Sequence, residues 1–183
     1  MPDVALAPDT SAALLALARD SIAAWLAGLP EPDLKVNGAD HHAGAFVSLY
    51  LEEKLRGCMG HTDCDRPLAR VVRKMAVSAA RDDPRFQPLR PIDLEDLGIE
   101  ISVLTPLVPA SAESIVIGRD GVMIRRGARQ GLLLPQVAEE WGLDREGFLA
   151  MACRKANLPK DAWREDGVRL FVFQAEIIGA PVA

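Results

Sequence analysis

Residues 44–61 read Gly-Ala-Phe-Val-Ser-Leu-Tyr-Leu-Glu-Glu-Lys-Leu-Arg-Gly-Cys-Met-Gly-His. Two short apolar runs, 45–51 and 55–60, are separated by three charged residues. This spacing predicts a β-hairpin, although its turn lacks the glycine that is usual there. The second run places an arginine, a cysteine and two glycines close together, so the hairpin also carries the most distinctive motif of the chain.

Helices are predicted on both sides of the hairpin. A first helix is capped by Thr10, runs to about Ala27 and ends at Gly28. A second helix begins at Pro67 and stops at Asp83-Pro84, with apolar residues along one side and basic residues along the other.

The second half of the chain again mixes strands with helices. Alternating apolar residues predict a strand over 99–104, and the turn at 118–121 predicts a hairpin that joins 115–117 to 122–124. Short helices over about 135–141 and 144–156 precede a closing strand over 168–178. Because this order is not a strict βαβ alternation, we predict an α+β fold with a mostly antiparallel sheet and two β-α blocks, about 9–90 and 91–178.

The composition is that of an ordinary globular protein. Of 183 residues, 49% are hydrophobic and 26% charged, which excludes disordered, collagen-like and disulfide-scaffold classes. No apolar run approaches the ~20 residues of a membrane span and the first residues lack a secretory signal, so we expect a cytoplasmic protein with no membrane contact. The three cysteines are expected to be reduced thiols.

Positive charge is concentrated in one part of an acidic chain. The net charge is -5, which disfavours binding to nucleic acid, and aromatic residues for base stacking make up only 5%. Residues 54–90 nevertheless contain nine Lys and Arg against four Asp and Glu. If the fold brings this stretch to the second basic cluster at 119–129, the pocket would suit a small anion; the alternative is a solvated basic face.

Cys58 is the candidate catalytic residue. Arg56 favours the thiolate, which is the nucleophilic form, and on a regular strand residues two apart share a face. Gly57 and Gly60 allow a ligand to approach the main chain, and their amides are candidate oxyanion donors. The alternative is a small buried thiol in a tightly packed strand.

Three further residues are candidate ligand contacts, each with a structural alternative. Arg85 either grips a carboxylate or phosphate through two N–H groups or forms a salt bridge where the helix stops. Glu100 is either a general base or the solvent-side residue of an alternating strand. Gln136 contacts either a polar ligand or the free groups of a helix end.

Neither a metal nor a cofactor is assigned. Cys58, His61 and Cys64 form Cys-x-x-His-x-x-Cys, and His41 or His42 could add a fourth ligand. Structural zinc sites usually show paired Cys-x-x-Cys or histidine knuckles instead. The chain also lacks a Walker loop and a Gly-x-Gly-x-x-Gly motif after a strand.

Five segments of the chain form one recognisable set: Gly-Ala-Phe-Val-Ser-Leu at 44–49, Leu-Arg-Gly-Cys-Met-Gly at 55–60, Asp-Pro-Arg-Phe at 83–86, Ile-Glu-Ile-Ser-Val-Leu-Thr-Pro at 99–106 and Gly-Leu-Leu-Leu-Pro-Gln-Val-Ala at 131–138. In this order they resemble the AMMECR domain family, over a span from the first helix to about Phe173. The family's usual motif is Leu-Arg-Gly-Cys-Ile-Gly-Thr, so Met59 is a mild change and His61 replaces a threonine.

The resemblance implies a single domain over 1–183, with two β-α blocks around one strongly curved sheet and the Arg-Gly-Cys motif near a cleft. It implies no settled activity. Relatives are associated with a radical SAM protein and a Memo-like protein, as the A component of the AmmeMemoRadiSam system, and these are the expected partners. Two hypotheses follow: a protein that binds or transforms a small anion through Cys58, and a non-catalytic partner-binding or regulatory subunit.

Overall fold

The structure, a computed structural model, describes residues 6–180. Contacts divide the chain into two compact units. The first contains the described residues up to Leu104 together with those from Glu176 onward, and the second is Thr105–Ala175. Each unit has its own sheet and its own hydrophobic core. Among the described residues, no helix has the length and apolar character needed to cross a membrane.

Four α-helices and eight strands form the regular structure of the described residues, with short 3-10 helices between some of them. In chain order they are α1 (Pro8–Ala27), β1 (Gly44–Leu51), β2 (Lys54–His61), α2 (Leu68–Arg81), β3 (Gly98–Leu104), β4 (Val108–Pro109), β5 (Gly121–Arg126), β6 (Arg129–Leu133), α3 (Pro135–Glu140), α4 (Arg145–Lys155), β7 (Arg169–Phe173) and β8 (Ala175–Ala180).

The first unit is a four-stranded sheet with two helices. Its strand order is β2-β1-β3-β8, so β2, which carries the cysteine motif, is an edge strand. Val47, Leu49 and Ile101 are fully or almost fully buried, and the apolar stripe of α2 supplies the buried Val72 to the same core. One sheet face therefore packs against helices, and alternate residues of each strand point to the opposite face.

The predicted hairpin at the centre of this unit is confirmed, and its turn explains the missing glycine. Glu52 and Glu53 both have positive φ angles, +50° and +59°, in the left-handed region that the tightest hairpin turns require. Glutamate tolerates this conformation less well than glycine or asparagine, so the turn is strained. Strand pairing and core packing compensate for that strain.

A bulge interrupts the hairpin beside the cysteine motif. Leu49 lies opposite Gly57, but the next residue, Tyr50, lies opposite Leu55. Arg56 is the extra residue, so Arg56 and Cys58 do not belong to the regular alternation that the sequence analysis assumed.

The second unit has the strand order β4-β7-β5-β6 and packs α4 against its sheet, with Phe148 and Leu149 fully buried. The predicted pairing of 115–117 with 122–124 is wrong. The Val116 amide donates to the Asp120 carboxylate, which closes a turn, and β5 pairs instead with β6 across Gly127.

The α+β class and the antiparallel character are confirmed, but the strands form two sheets where the sequence predicted one. The predicted closing strand divides at Gln174, whose main chain pairs with Thr105. Its first part, β7, joins the sheet of the second unit and its last part, β8, joins the sheet of the first. β3 also belongs to the first unit, so the units do not coincide with consecutive halves of the chain.

Candidate functional site

Cys58 lies in a row of polar residues across the first sheet. Ser48 on β1 is directly opposite Cys58 on β2 and also opposite Glu100 on β3. The Ser48 hydroxyl donates to the Cys58 Sγ at 3.3 Å. Neighbours across a sheet are ~5 Å apart, so the Cα atoms of Cys58 and Glu100 are separated by about 10 Å. Ser48 therefore lies between Cys58 and Glu100 in this row, and its hydroxyl donates to the thiol.

The main chain at Cys58 is bound to a buried carboxylate. The Cys58 N–H donates to Asp83 Oδ2 at 2.9 Å, and Asp83 lies just after α2 with only 4% of its surface exposed. Arg85 donates to the same carboxylate through its backbone N–H and Nε, both to Oδ1, and through Nη2 to Oδ2. These bonds, those of the Arg85 side chain first, lower the pKa of Asp83 to about 2 although burial acts in the opposite direction.

Arg85 is held by one side only. Its Nε and Nη2 contact Asp83, whereas no described residue accepts a hydrogen bond from Nη1, and 57% of the side chain is exposed. The hydrogen-bonded Asp83 carboxylate raises the pKa of Arg85, and Cys58 makes a smaller electrostatic contribution in the same direction, so Arg85 lies near Cys58.

A second arginine lies next to the first. The Phe86 ring centroid is 5.3 Å from the Arg85 Cζ and 6.0 Å from the Arg56 Cζ, within the range of cation–π contacts. Hydrogen bonds from Arg90 lower the pKa of the buried Asp93, and the charge of Arg56 adds to this, so Arg56 also lies near a carboxylate. Arg56 and Arg85 therefore both lie close to the Phe86 ring.

The pairing of a buried aspartate with an exposed arginine also occurs elsewhere. Arg119 pairs in the same two-pronged way with Asp120, which closes a local turn through the Val116 amide. The Asp83 carboxylate differs because it also binds the amide of Cys58, 25 residues away on another element. It therefore joins the loop after α2 to the strand that carries the thiol.

Both motif glycines have packing roles. A Cβ at Gly57 would collide with the Ala79 carbonyl oxygen of α2, and a Cβ at Gly60 would collide with the Phe46 ring. Because the Cys58 amide points away from β1, the alternation of antiparallel strands turns the Gly57 amide toward β1 and the Gly60 amide toward the open edge. Only Gly60 has an amide directed where a ligand at the edge of β2 could accept from it.

The remaining candidates are Gln136 and the residues of the possible zinc motif. Gln136 belongs to the second unit, on α3, where its Oε1 is buried without a hydrogen-bond partner among residues 6–180. His61 Nε2 contacts Asp65 Oδ1 at 2.6 Å. Within the described part of the chain, no three His, Cys, Asp or Glu side chains are arranged to hold a metal ion, so Cys58, His61 and Cys64 do not form the zinc cluster that their spacing suggested.

The arrangement can be compared with known proteins. The AMMECR1 family model matches residues 15–178. The chain belongs to the AMMECR1 family. A protein of Methanothermobacter thermautotrophicus is 41% identical over 182 residues, which cover 94% of this chain and 95% of that relative. Protein TK0174 of Thermococcus kodakarensis is 48% identical over 145 residues, which cover 73% of this chain and 71% of TK0174.

A crystal structure of another protein has a similar fold. The crystal structure of uncharacterized protein PH0010 from Pyrococcus horikoshii matches with a TM-score of 0.87 and 36% identity. The match covers 94% of this chain and 92% of PH0010. The α+β architecture is therefore shared over almost the whole AMMECR1-family chain.

Ser48, Asp83 and Phe86 were not predicted as site residues of this AMMECR1-family protein. Asp83 and Phe86 flank Arg85 in the sequence, and an Asp-Pro-Arg-Phe run directly after a basic helix was a usable signal. Ser48 carried no such signal, because its position opposite Cys58 depends on the bulge at Arg56.

Proposed function

We propose that this AMMECR1-family protein binds a small carboxylate- or phosphate-bearing anion at Arg56 and Arg85 and holds it beside the Cys58 thiol, the candidate nucleophile. The double role of Asp83 carries the proposal. One buried carboxylate fixes both the guanidinium of Arg85 and the main chain of Cys58. The anion-binding group and the reactive group are thereby held in one geometry before a ligand arrives.

The two arginines have complementary parts in this proposal. Arg85 is oriented by Asp83 through one edge of its guanidinium and presents the other edge outward. The Arg56 Cζ lies 6.0 Å from the centroid of the same Phe86 ring, so Arg56 supplies a second positive charge. A planar guanidinium suits the paired oxygens of a carboxylate or phosphate, so the preferred ligand carries at least one such group.

Cys58 and its neighbours supply the reactive side of the site. Ser48 donates to the Cys58 sulfur and limits its rotation, and the Gly60 amide is the candidate donor for negative charge that develops on a bound ligand. Glu100, opposite Ser48 on β3, is the candidate general base of the same row. Gln136 belongs to the second unit and has no role in this proposal.

Anion binding is tested by titrating inorganic phosphate and malonate into the protein at constant ionic strength and following the Arg side-chain NMR signals. We expect the Arg85 and Arg56 signals of the wild type to move together and saturate, and the Arg56 signal of Arg85→Gln to lose this saturating shift. The matched control is Arg119→Gln, which breaks the same kind of aspartate pair in the second unit. Titrations that are identical in wild type and Arg85→Gln would remove the proposed site.

A non-catalytic partner-binding subunit is the second candidate, and an exposed apolar surface favours it. A groove of ≈ 560 Å³ at the end of α1 is lined mainly by Ala, Leu and Pro side chains, including Leu29 and Leu94. Leu29 is 64% exposed, and Ile92, close in sequence to Leu94, is 75% exposed. Exposed apolar surface of this kind is typical of protein contacts.

The partners proposed for this surface are the radical SAM protein and the Memo-like protein that the family resemblance implies. Binding of each purified protein is measured for wild type, for Leu29→Asp with Ile92→Asp, and for Cys58→Ala. If the protein is a partner-binding subunit, only the variant Leu29→Asp with Ile92→Asp should lose binding to the partner proteins. Absence of binding to both proteins by the wild type would rule out this assignment.

A further inference from the structure

We propose that the outer face of α2 binds an acidic segment of a partner protein, at a surface separate from the Cys58 site. This surface is a groove of ≈ 320 Å³, called here the basic groove. It is lined by Glu31, Arg66, Arg70, Arg73, Lys74, Val77, Ser78 and Arg81.

The charges of the basic groove are only partly neutralised within the protein. Arg73 pairs with Glu31 at 2.8 Å, and Arg66 and Arg81 pair with their sequence neighbours Asp65 and Asp82. Arg70 and Lys74 have no hydrogen-bond or ion-pair partner in the part of the chain that the structure describes. They are one helical turn apart, where like charges repel, so two uncompensated cations stand together on a protein whose net charge is -5.

The ion pair between Glu31 and Arg73 shows that the basic groove can bind a carboxylate. The Glu31 carboxylate lies at the groove wall, bound to Arg73, while the Glu31 side chain remains 70% exposed. A carboxylate on a flexible side chain therefore already binds at one end of the surface. Carboxylates of a partner would bind Arg70 and Lys74 in the same manner.

The length of the groove favours an extended ligand over a single anion. Arg70 and Arg81 are eleven residues apart on α2, which corresponds to about 16 Å along the helix axis. A single phosphate can contact only one or two of these cations. An extended peptide rises about 3.3 Å per residue, so about five residues would follow the whole row.

The surroundings favour a protein over a nucleic acid. Among residues 6–180, no aromatic side chain lines the basic groove, so bases would have no stacking partner in it. The apolar groove begins directly beside it, because Leu29 and Pro30 line the apolar groove and Glu31 lines the basic one. A peptide with an acidic run followed by apolar residues matches both surfaces, since its carboxylates and its aliphatic side chains each find a counterpart.

The proposal is tested with two fluorescein-labelled peptides, one of six glutamates and one of six glutamates followed by two leucines. Fluorescence anisotropy measures their binding to the full chain at low and at physiological salt. The charge-reversal variant is Arg70→Glu with Lys74→Glu. Its matched control is Arg154→Glu with Lys160→Glu, which makes the same change in net charge on exposed residues of the second unit.

We expect charge reversal in the basic groove to weaken peptide binding by about tenfold or more and the control to leave it within about twofold. We also expect the leucine-bearing peptide to bind more tightly, and Cys58→Ala to bind both peptides normally, which separates this surface from the anion site. Equal weakening by the two charge reversals, or tighter binding of single-stranded RNA or phosphatidylserine vesicles than of either peptide at equal charge, would overturn the proposal.

Discussion

Asp83 controls two other residues of the site through one carboxylate. It accepts the Cys58 amide and the Arg85 guanidinium, and it is buried while Arg85 is largely exposed. Burial makes the charge of Asp83 costly unless these donors remain in place, so the carboxylate enforces the geometry around it. The sequence indicated Arg85 either as a ligand contact or as a salt-bridge partner where the helix stops, and it did not single out Asp83 as the residue that orients it.

The lowered pKa of Asp83 predicts a specific acid dependence of stability. Its pKa is about 2 in the folded protein against 3.8 for an ordinary aspartate, so its stabilising contribution is complete above pH 4 and is lost as the pH falls through 2. The shift corresponds to roughly 2 kcal/mol of unfolding free energy. Urea unfolding of wild type and Asp83→Asn between pH 5 and pH 2 measures it. The variant should lack this part of the pH dependence, and an unchanged profile would contradict the assignment.

The two motif glycines predict different responses to a methyl group. Gly57→Ala should reduce the free energy of unfolding by about 1–3 kcal/mol, because the Ala79 carbonyl on α2 cannot move away cheaply. Gly60→Ala meets the Phe46 ring instead, so its cost should fall in a Phe46→Ala background. Chemical unfolding of the single and double variants gives the comparison. A Gly60→Ala cost that is the same with and without Phe46 would show that packing is not the reason for this glycine.

The hairpin of β1 and β2 is the element that the sequence predicted best. Its strands follow from two apolar runs and the charged turn between them, all of which are local signals. The register does not follow from local signals. A regular two-residue turn would place Ser48 opposite Gly57, whereas the bulge at Arg56 places it opposite Cys58. The apolar pattern of the strand does not indicate where a bulge inserts an extra residue.

The strained turn predicts a stabilising pair of substitutions. Glu52 and Glu53 adopt positive φ angles, which asparagine and glycine adopt at lower cost. Glu52→Asn with Glu53→Gly should therefore raise the free energy of unfolding by about 1 kcal/mol while the site stays intact. Thermal and urea unfolding provide the measurement, and Glu95→Gln with Glu140→Gln, which removes two exposed carboxylates elsewhere, is the control for simple loss of charge. A lower stability of the turn variant would mean that the glutamates make contacts that outweigh the strain.

The α+β class of the fold could be predicted from the sequence, but the division of its strands into two sheets could not. Apolar periodicity identified most helices and strands of the α+β fold. It did not predict that β7 and β8, nearly continuous in sequence, belong to different sheets. Their separation at Gln174 depends on the bonds to Thr105, 69 residues earlier. Pairing over such distances is set by packing of the complete chain, as is the meeting of Cys58 with Asp83.

A pair of thiol reagents tests whether Arg85 draws a small anion to Cys58. Iodoacetate and iodoacetamide form the same kind of thioether bond and release iodide, but only iodoacetate carries a carboxylate. The rate of each at Cys58 and at Cys64, which is also half-buried, is measured by mass spectrometry on one sample. At each cysteine, dividing the iodoacetate rate by the iodoacetamide rate removes most of the effect of that thiol's own reactivity.

We predict that the iodoacetate-to-iodoacetamide ratio at Cys58 exceeds the ratio at Cys64 by about tenfold, and that Arg85→Gln removes the difference. Arg119→Gln should leave it unchanged. Equal ratios at the two cysteines, unaffected by Arg85→Gln, would contradict the anion site at Cys58.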